Sequence, residues 1–408
     1  MTPPAREEAS MTDTDALKRQ AQETISHDRQ GLIDLSRRIN QNPELGFEEV
    51  RSSSWVADAL EAGGFSVERG VVDLPTAFVA SAGDGELVLG ICAEYDALPG
   101  IGHACGHNII AASAVGAGLA LAPLAGDLGA TVKVFGTPYE EGGGGKVLML
   151  DRGAFDGVHA AMMVHPVPAT EETVRTTGII ASTLLEVEYT GRAAHAAAYP
   201  WLGLNAADAL TVAQVGIGLL RQHFEPGDRV HGVVTLGGGA PNVIPERTTA
   251  KFIVRSKTLD RLDRLEARVR DCFEAGALAT GCTLNLSKPH PTYSHFEDDE
   301  DLVDLYTTNT TALGRPPGDL PDELKDAAGS TDMSNISLAI PSIHPMVGVE
   351  SGEAVNHQAE FAAACATPSA DEAVIHGATA MAWTCIDVAT DERVRARLLR
   401  GERAVAGR

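Results

Sequence analysis

An apolar run at residues 87–92 leads directly into Glu94-Tyr95-Asp96-Ala97-Leu98-Pro99 and then Gly102-His103-Ala104-Cys105-Gly106-His107-Asn108. A thiol and an imidazole two residues apart, flanked by glycine, have no packing rationale on a tight turn. They can face a single ion if the backbone turns there. Three further segments carry what one wall of such a site lacks. Glu140 and Glu141 close another apolar run and precede Gly142, Gly143, Gly144 and Gly145, where the backbone can approach a ligand closely. His165 stands before Pro166, and His357 lies in Val355-Asn356-His357-Gln358. Each donor has an ordinary alternative when taken alone. Cys105 would be buried filler, Glu140-Glu141 a solvated pair, and His165 and His357 loop histidines. Together, one thiolate, one carboxylate and three imidazoles make five donors, enough for two divalent cations with a bridging group. Donors that end hydrophobic stretches place the site at the carboxyl ends of strands in an α/β sheet.

The order of elements supports that sheet. Helical spacing runs from about residue 14 and again around Trp55, Leu60 and Phe65; strands at 87–92, 131–135 and 160–164 then alternate with a helix at 109–121. Near residue 180 the rhythm changes to strand, helix, strand, strand, helix, strand: 183–189, 205–224, 230–236, 249–254, 259–275 and 283–286. The α/β pattern returns with a helix near 301–313, a short strand near Ile343 and a closing helix from Asp371. At 408 residues the chain exceeds one ordinary core. The expected organisation is a discontinuous catalytic domain, 14–180 with 295–395, and an inserted α+β domain, 181–294.

A formal charge of −24 disfavours nucleic acid and anionic membrane as partners, because both call for clustered Lys and Arg. Apolar runs are short and broken by glycine or charge, so no membrane span is expected. The six cysteines lack framework spacing, and the start Met1-Thr2-Pro3-Pro4 has no basic segment followed by an apolar one. A reducing cytoplasm is the expected location.

Across roughly residues 25–390 the chain resembles the aminoacylase-type dinuclear metallopeptidases, in the branch with hippurate hydrolase, auxin-conjugate amidohydrolases and aminobenzoyl-glutamate hydrolase. The resemblance rests on Glu94-Tyr95-Asp96-Ala97-Leu98-Pro99, His103-Ala104-Cys105-Gly106-His107, Pro138-Tyr139-Glu140-Glu141 with its glycines, His165-Pro166-Val167-Pro168, Gly191-Arg192-Ala193-Ala194-His195-Ala196 and Pro241-Asn242-Val243-Ile244-Pro245. It implies a zinc-peptidase-like α/β catalytic domain, its mixed sheet flanked by helices, with a ferredoxin-like lid that also forms a homodimer. Carried over by position, it makes Cys105 the bridging thiolate, and His107, Glu141, His165 and His357 the other ligands of two Zn²⁺ or Mn²⁺ ions. Glu140 becomes the general base, His195 an oxyanion-stabilising catalytic residue, and Asn242 and Arg255 the holders of a substrate carboxylate.

The chain also departs from that pattern. Asn108 replaces the acidic residue many relatives have after the second motif histidine, which is expected to weaken the orientation of His107. Glu94 stands where other aminoacylase-type enzymes use a metal-binding histidine, Asp96 matches a supporting aspartate, and the loop Ser330-Thr331-Asp332 differs from the hippurate hydrolase version. The expected activity is metal-dependent hydrolysis of a small N-acyl amino acid or an aminobenzoyl-glutamate-like amide. The alternatives are a dipeptidase for substrates with a basic or unusual residue, and a non-catalytic binding protein that keeps the fold within a larger assembly. A Cys105-His107 nucleophile pair is disfavoured by a separation of only two residues.

Overall fold

A computed structural model describes residues 7–169, 172–176, 178–318 and 329–405. It divides into two compact units: Met1–Thr177 with Phe296–Lys325 and Asp332–Arg408, and Gly178–His295 with Asp326–Thr331.

In chain order the elements begin with α1 (Glu7–Asn40), α2 (Val50–Ala62), β1 (Ser66–Arg69), β2 (Phe78–Ala82), β3 (Leu87–Glu94), α3 (His107–Leu121), β4 (Ala130–Thr137), α4 (Gly145–Asp151), β5 (Ala160–Met162) and β6 (His165–Val167). The smaller unit holds β7 (Ala181–Thr190), α5 (Ala206–Leu220), β8 (Arg229–Leu236), β9 (Arg247–Ser256), α6 (Leu259–Thr280) and β10 (Thr283–Ser287). The larger unit resumes with α7 (Glu300–Ala312), α8 (Met333–Ala339), β11 (Ser342–Ile343), β12 (Met346–Gly348), α9 (Ala359–Ala364), α10 (Pro368–Thr390) and α11 (Glu392–Leu399).

The larger unit is built on a mixed sheet of order β1-β2-β4-β3-β5-β11. β4, β3, β5 and β11 are parallel, and β1 and β2 are added antiparallel at one edge. β3 is apolar almost throughout because it lies inside the sheet with both faces covered. α3 packs against α1, α10 and β3 and is buried on nearly every side, so it shows no polar face. The window His107–Leu124 is long and apolar enough to cross a membrane, yet 83% of it is buried within this core, which accounts for its apolarity.

Register is what positions the site. β3 and β4 run in parallel so that Glu94 pairs with Thr137, and both chains leave the sheet at the same end. Asp96 follows one strand and Glu140-Glu141 the other. β6 pairs with β12, His165 opposite Met346, and brings a third donor to that end. The segments that carry the candidate donors thus leave the carboxyl ends of the strands.

The smaller unit is a four-stranded antiparallel sheet of order β10-β7-β9-β8 with α5 and α6, a ferredoxin-like arrangement. β7 alternates buried and half-buried residues, as expected for a strand with one face on a core. Asn205 caps α5 by accepting from the amides of Ala207 and Asp208, and Thr258 caps α6.

Several elements differ from the sequence expectation. The helix expected at 205–224 ends at Leu220, with one tighter turn beyond it. The strand expected at 160–164 ends at Met162, and His165 opens a separate short strand. β1, β2, β12 and the short helices α4, α8 and α9 were not anticipated.

Candidate metal centre

Cys105 and His107 reach the site through a sharp turn at Gly106, which has φ 78° and caps α3. A Cβ on Gly106 would lie 2.3 Å from Pro166 Cγ, so the turn requires glycine both for its conformation and for the approach of the His165-Pro166 segment. His357 adopts a left-handed φ of 66° and is anchored by its amide N–H donating to Ala104 O at 2.9 Å. Strain of this kind in a histidine marks a position held by its surroundings.

The five expected donors come together. Cys105 Sγ lies 3.6 Å from both His165 Nε2 and His357 Nε2, and His357 Nε2 is 3.5 Å from Glu141 Oε2. Two triads, Cys105-His107-His165 and Cys105-Glu141-His357, each have donor atoms within 4.8 Å of one another, and Cys105 belongs to both. Glu140 joins a third group with His107 and Glu141. Donors about 2.0–2.3 Å from a small cation sit about 3.3–3.8 Å apart along a tetrahedral edge, which matches these separations. His107 Nε2 and Glu141 Oε1 are buried without a hydrogen-bond partner among the described residues, as donors awaiting an ion would be. The side chain of His357 is 59% exposed, which leaves that flank open to solvent.

Surrounding groups set the orientation of the candidate donors. His107 Nδ1 lies 3.0 Å from Asp96 Oδ1 and 2.9 Å from Asp96 O, so its orientation rests on Asp96 and not on residue 108. Asn108 instead donates to Ser36 Oγ and Cys365 O, tying α3 to its neighbours, which corrects the weakening expected from its identity. His165 Nδ1 donates to Pro166 O at 2.9 Å and leaves Nε2 as a lone pair towards Cys105. Asn356, which the sequence did not single out, donates to Cys105 Sγ at 3.7 Å and to Pro166 O at 3.5 Å.

Burial dominates the protonation of the site. It depresses His165 to about 4, aided by the nearby His107 charge, so the ring is neutral and able to coordinate. Burial, then Glu141, push the Cys105 thiol up; ionising it at neutral pH calls for a cation beside the sulfur. Burial would also raise Asp96, but His107 and the amides of Glu141 and Glu140 more than offset this and hold it below its ordinary range. Burial, then the carboxylates of Glu94, Glu141 and Asp332, raise Glu140 well above the usual carboxylate range.

Beside Glu140 lies a second unanticipated feature. Lys146 is fully buried, and its Nζ bonds Glu94 Oε1 and, at 2.8 Å, Asp332 Oδ1, while its amide donates to Asp332 Oδ2 at 2.9 Å. Its one sequence signal is a lysine directly after the glycine run, followed by the apolar stretch Val147-Leu148-Met149-Leu150.

His195, Asn242 and Arg255 belong to the smaller unit. His195 is exposed and bridges Val243, and Ala196 N donates to Asn242 O at 2.9 Å, so His195 and Asn242 are neighbours. Arg255, on β9, is half-buried and donates from Nη1 to Ser330 Oγ at 2.9 Å.

Paired donor triads at the carboxyl ends of the parallel strands of a mixed sheet, with an acidic residue alongside, fit a metal-dependent hydrolase. The chain belongs to peptidase family M20/M25/M40, whose model matches residues 90–380. It is similar to the Xaa-Arg dipeptidase of Mus musculus, 36% identical over 93% of this chain and 90% of the relative. It also matches one of the subunits of the p-aminobenzoyl-glutamate hydrolase of Escherichia coli K12, 35% identical over 64% of this chain and 58% of the relative. In fold it resembles the crystal structure of a dinuclear metal-binding peptidase of family M20 from Bacillus subtilis, with a TM-score of 0.67 at 21% identity over 89% of this chain and 99% of that one.

Proposed function

We propose that this hydrolase cleaves the amide bond of a small N-acyl amino acid or aminobenzoyl-glutamate-like substrate, using two divalent cations held by Cys105, His107, Glu141, His165 and His357. The carrying observation is the pair of donor triads that share Cys105. Bound there, the cations supply Lewis acidity that polarises the amide carbonyl and makes water more acidic. Glu140, outside both triads and 4.0 Å from His107 Nε2, is the general base. It takes the proton of the attacking water and passes it to the departing amine. The burial and neighbouring carboxylates that raise its proton affinity suit that second step.

His195 is the proposed oxyanion donor. Its Nδ1 accepts from the amides of Ala197 and Ala198, both at 3.2 Å, so the neutral ring carries its proton on Nε2, where a donor is needed. Asn242 and Arg255 are the proposed carboxylate holders: a neutral donor beside His195, and a guanidinium fork steadied by Ser330.

A dipeptide with a basic residue is the second reading. The Xaa-Arg dipeptidase match favours it, spanning 93% of the chain against 64% for the aminobenzoyl-glutamate hydrolase match. Zn²⁺ and Mn²⁺ both fit the donors. A homodimer through the smaller unit is supported by its exposed edge strand β8, and a cytoplasmic location by six unpaired cysteines. Release of amine from N-acyl amino acids, aminobenzoyl-glutamate and Xaa-Arg dipeptides, assayed in parallel with Mn²⁺ and Zn²⁺, tests the reading. It fails if chelation leaves activity untouched or if no substrate of the panel is cleaved.

A further inference from the structure

The five donors leave one buried carboxylate oxygen beside them unexplained. Glu94 ends β3, is fully buried, and uses its two oxygens differently. Oε1 takes the Lys146 ammonium, whereas Oε2 has no hydrogen-bond partner among the described residues. Oε2 lies 3.5 Å from His107 Nε2, an atom equally buried and equally without a hydrogen bond. His107 Nδ1 faces the carbonyl of Asp96, an acceptor only, so Nδ1 carries a proton and Nε2 is the ring atom left to meet a cation. A cation between Glu94 Oε2 and His107 Nε2 would give both atoms the partner they lack. Their separation is that of two donors on one small cation, about 3.3–3.8 Å.

The aim of Glu94 is fixed from behind. Lys146 Nζ bridges Glu94 and Asp332, and Asp332 holds residue 146 a second time through its amide. A carboxylate clamped at one oxygen, on the last residue of a central strand, has little freedom to turn the other away.

We propose that Glu94 is a sixth donor to the cation pair, on the His107 side, directed by the Lys146–Asp332 clamp. The proposal rests on the two-cation reading above. It adds a hard oxygen to the nitrogen and sulfur already there, a change that accommodates Mn²⁺ as well as Zn²⁺ on that side.

A crystal structure of the full chain loaded with Mn²⁺, or separately with Zn²⁺, measures the contact directly. Glu94 Oε2 at about 2.0–2.3 Å from an ion is the expected result. Ions held by Cys105, His107, Glu141, His165 and His357 with Glu94 Oε2 beyond about 3 Å overturn this inference and leave the two-cation reading standing. Ions missing from those five donors overturn both. In solution, Glu94→Gln, folded by its melting curve, should hold one of the two cations about 10- to 100-fold more weakly in chelator competition. Unchanged affinity for both counts against the sixth donor. Should Glu94→Gln fail to fold, the crystal measurement on the natural chain decides.

Discussion

Asp96 serves two proposed ligands at once: its Oδ1 lies 3.0 Å from His107 Nδ1, and its Oδ2 accepts the amide N–H of Glu141 at 3.1 Å. One buried carboxylate therefore aligns a ring from the start of α3 with a segment that follows β4. Asp96→Ala should weaken cation binding by about 10- to 100-fold, the usual cost of losing a group that orients a ligand. Chelator competition on the folded variant checks this; unaltered affinity would mean that packing alone sets the two donors.

The adjacent glutamates should separate cleanly by substitution. Glu140→Gln is expected to lower turnover by at least about 100-fold while elemental analysis still finds the cations. Glu141→Gln should instead lose metal, since Glu141 belongs to a triad with Cys105 and His357. If the Glu140 variant is the one that releases metal, the two roles have been exchanged.

Glu49 gives the cation-free protein a specific pH dependence. Burial, then the charge of Asp96, raise its carboxyl from 4.5 to about 7, while Thr76 Oγ1 and the Tyr139 amide donate to it at 3.0 and 2.9 Å. A raised carboxyl favours the folded state fully below the unfolded value, and that contribution is lost as pH climbs through about 7. Glu49→Gln cannot ionise, and the Thr76 hydroxyl can turn to accept from the new amide. The variant should gain stability relative to the natural chain between about pH 5 and 8, by up to about 3 kcal/mol at about 1.4 kcal/mol per unit. Urea unfolding in the presence of a chelator measures it; an equal difference at both pH values would contradict the assignment.

What the sequence revealed and what it hid follow from how far each signal reaches along the chain. β3 and α3 were legible because burial on all sides writes long apolar runs. The five donors were legible because each sits in a local motif with glycine or proline nearby, or in a stretch matching the family pattern. The Lys146 clamp was not, since its partners are 52 and 186 residues away and nothing in a lone lysine says which carboxylates it will meet. β1 is four residues long and mostly exposed, and α4 and α8 have seven residues each, too short for periodicity to register. Asn108 misled because residue identity was read as a role, whereas the orienting carboxylate came from the preceding strand end.

The proposed homodimer makes a prediction for the surface of the smaller unit. β8 lies at the sheet edge, and Val233, Val234 and Leu236 on it are 60%, 42% and 37% exposed. α5 adds Val212, Val215 and Leu219 at helical spacing, with Leu219 72% exposed. An unpaired strand with apolar side chains is a template for pairing with another chain, and the apolar stripe on α5 is a second exposed face that association could cover. A charged residue cannot enter such a contact without losing its hydration. Val233→Lys combined with Leu219→Glu should therefore shift the chain from dimer to monomer in sedimentation at micromolar concentration, with little change in melting temperature because both residues are exposed. A natural chain that sediments as a monomer, or a double variant that remains dimeric, would remove this surface from consideration.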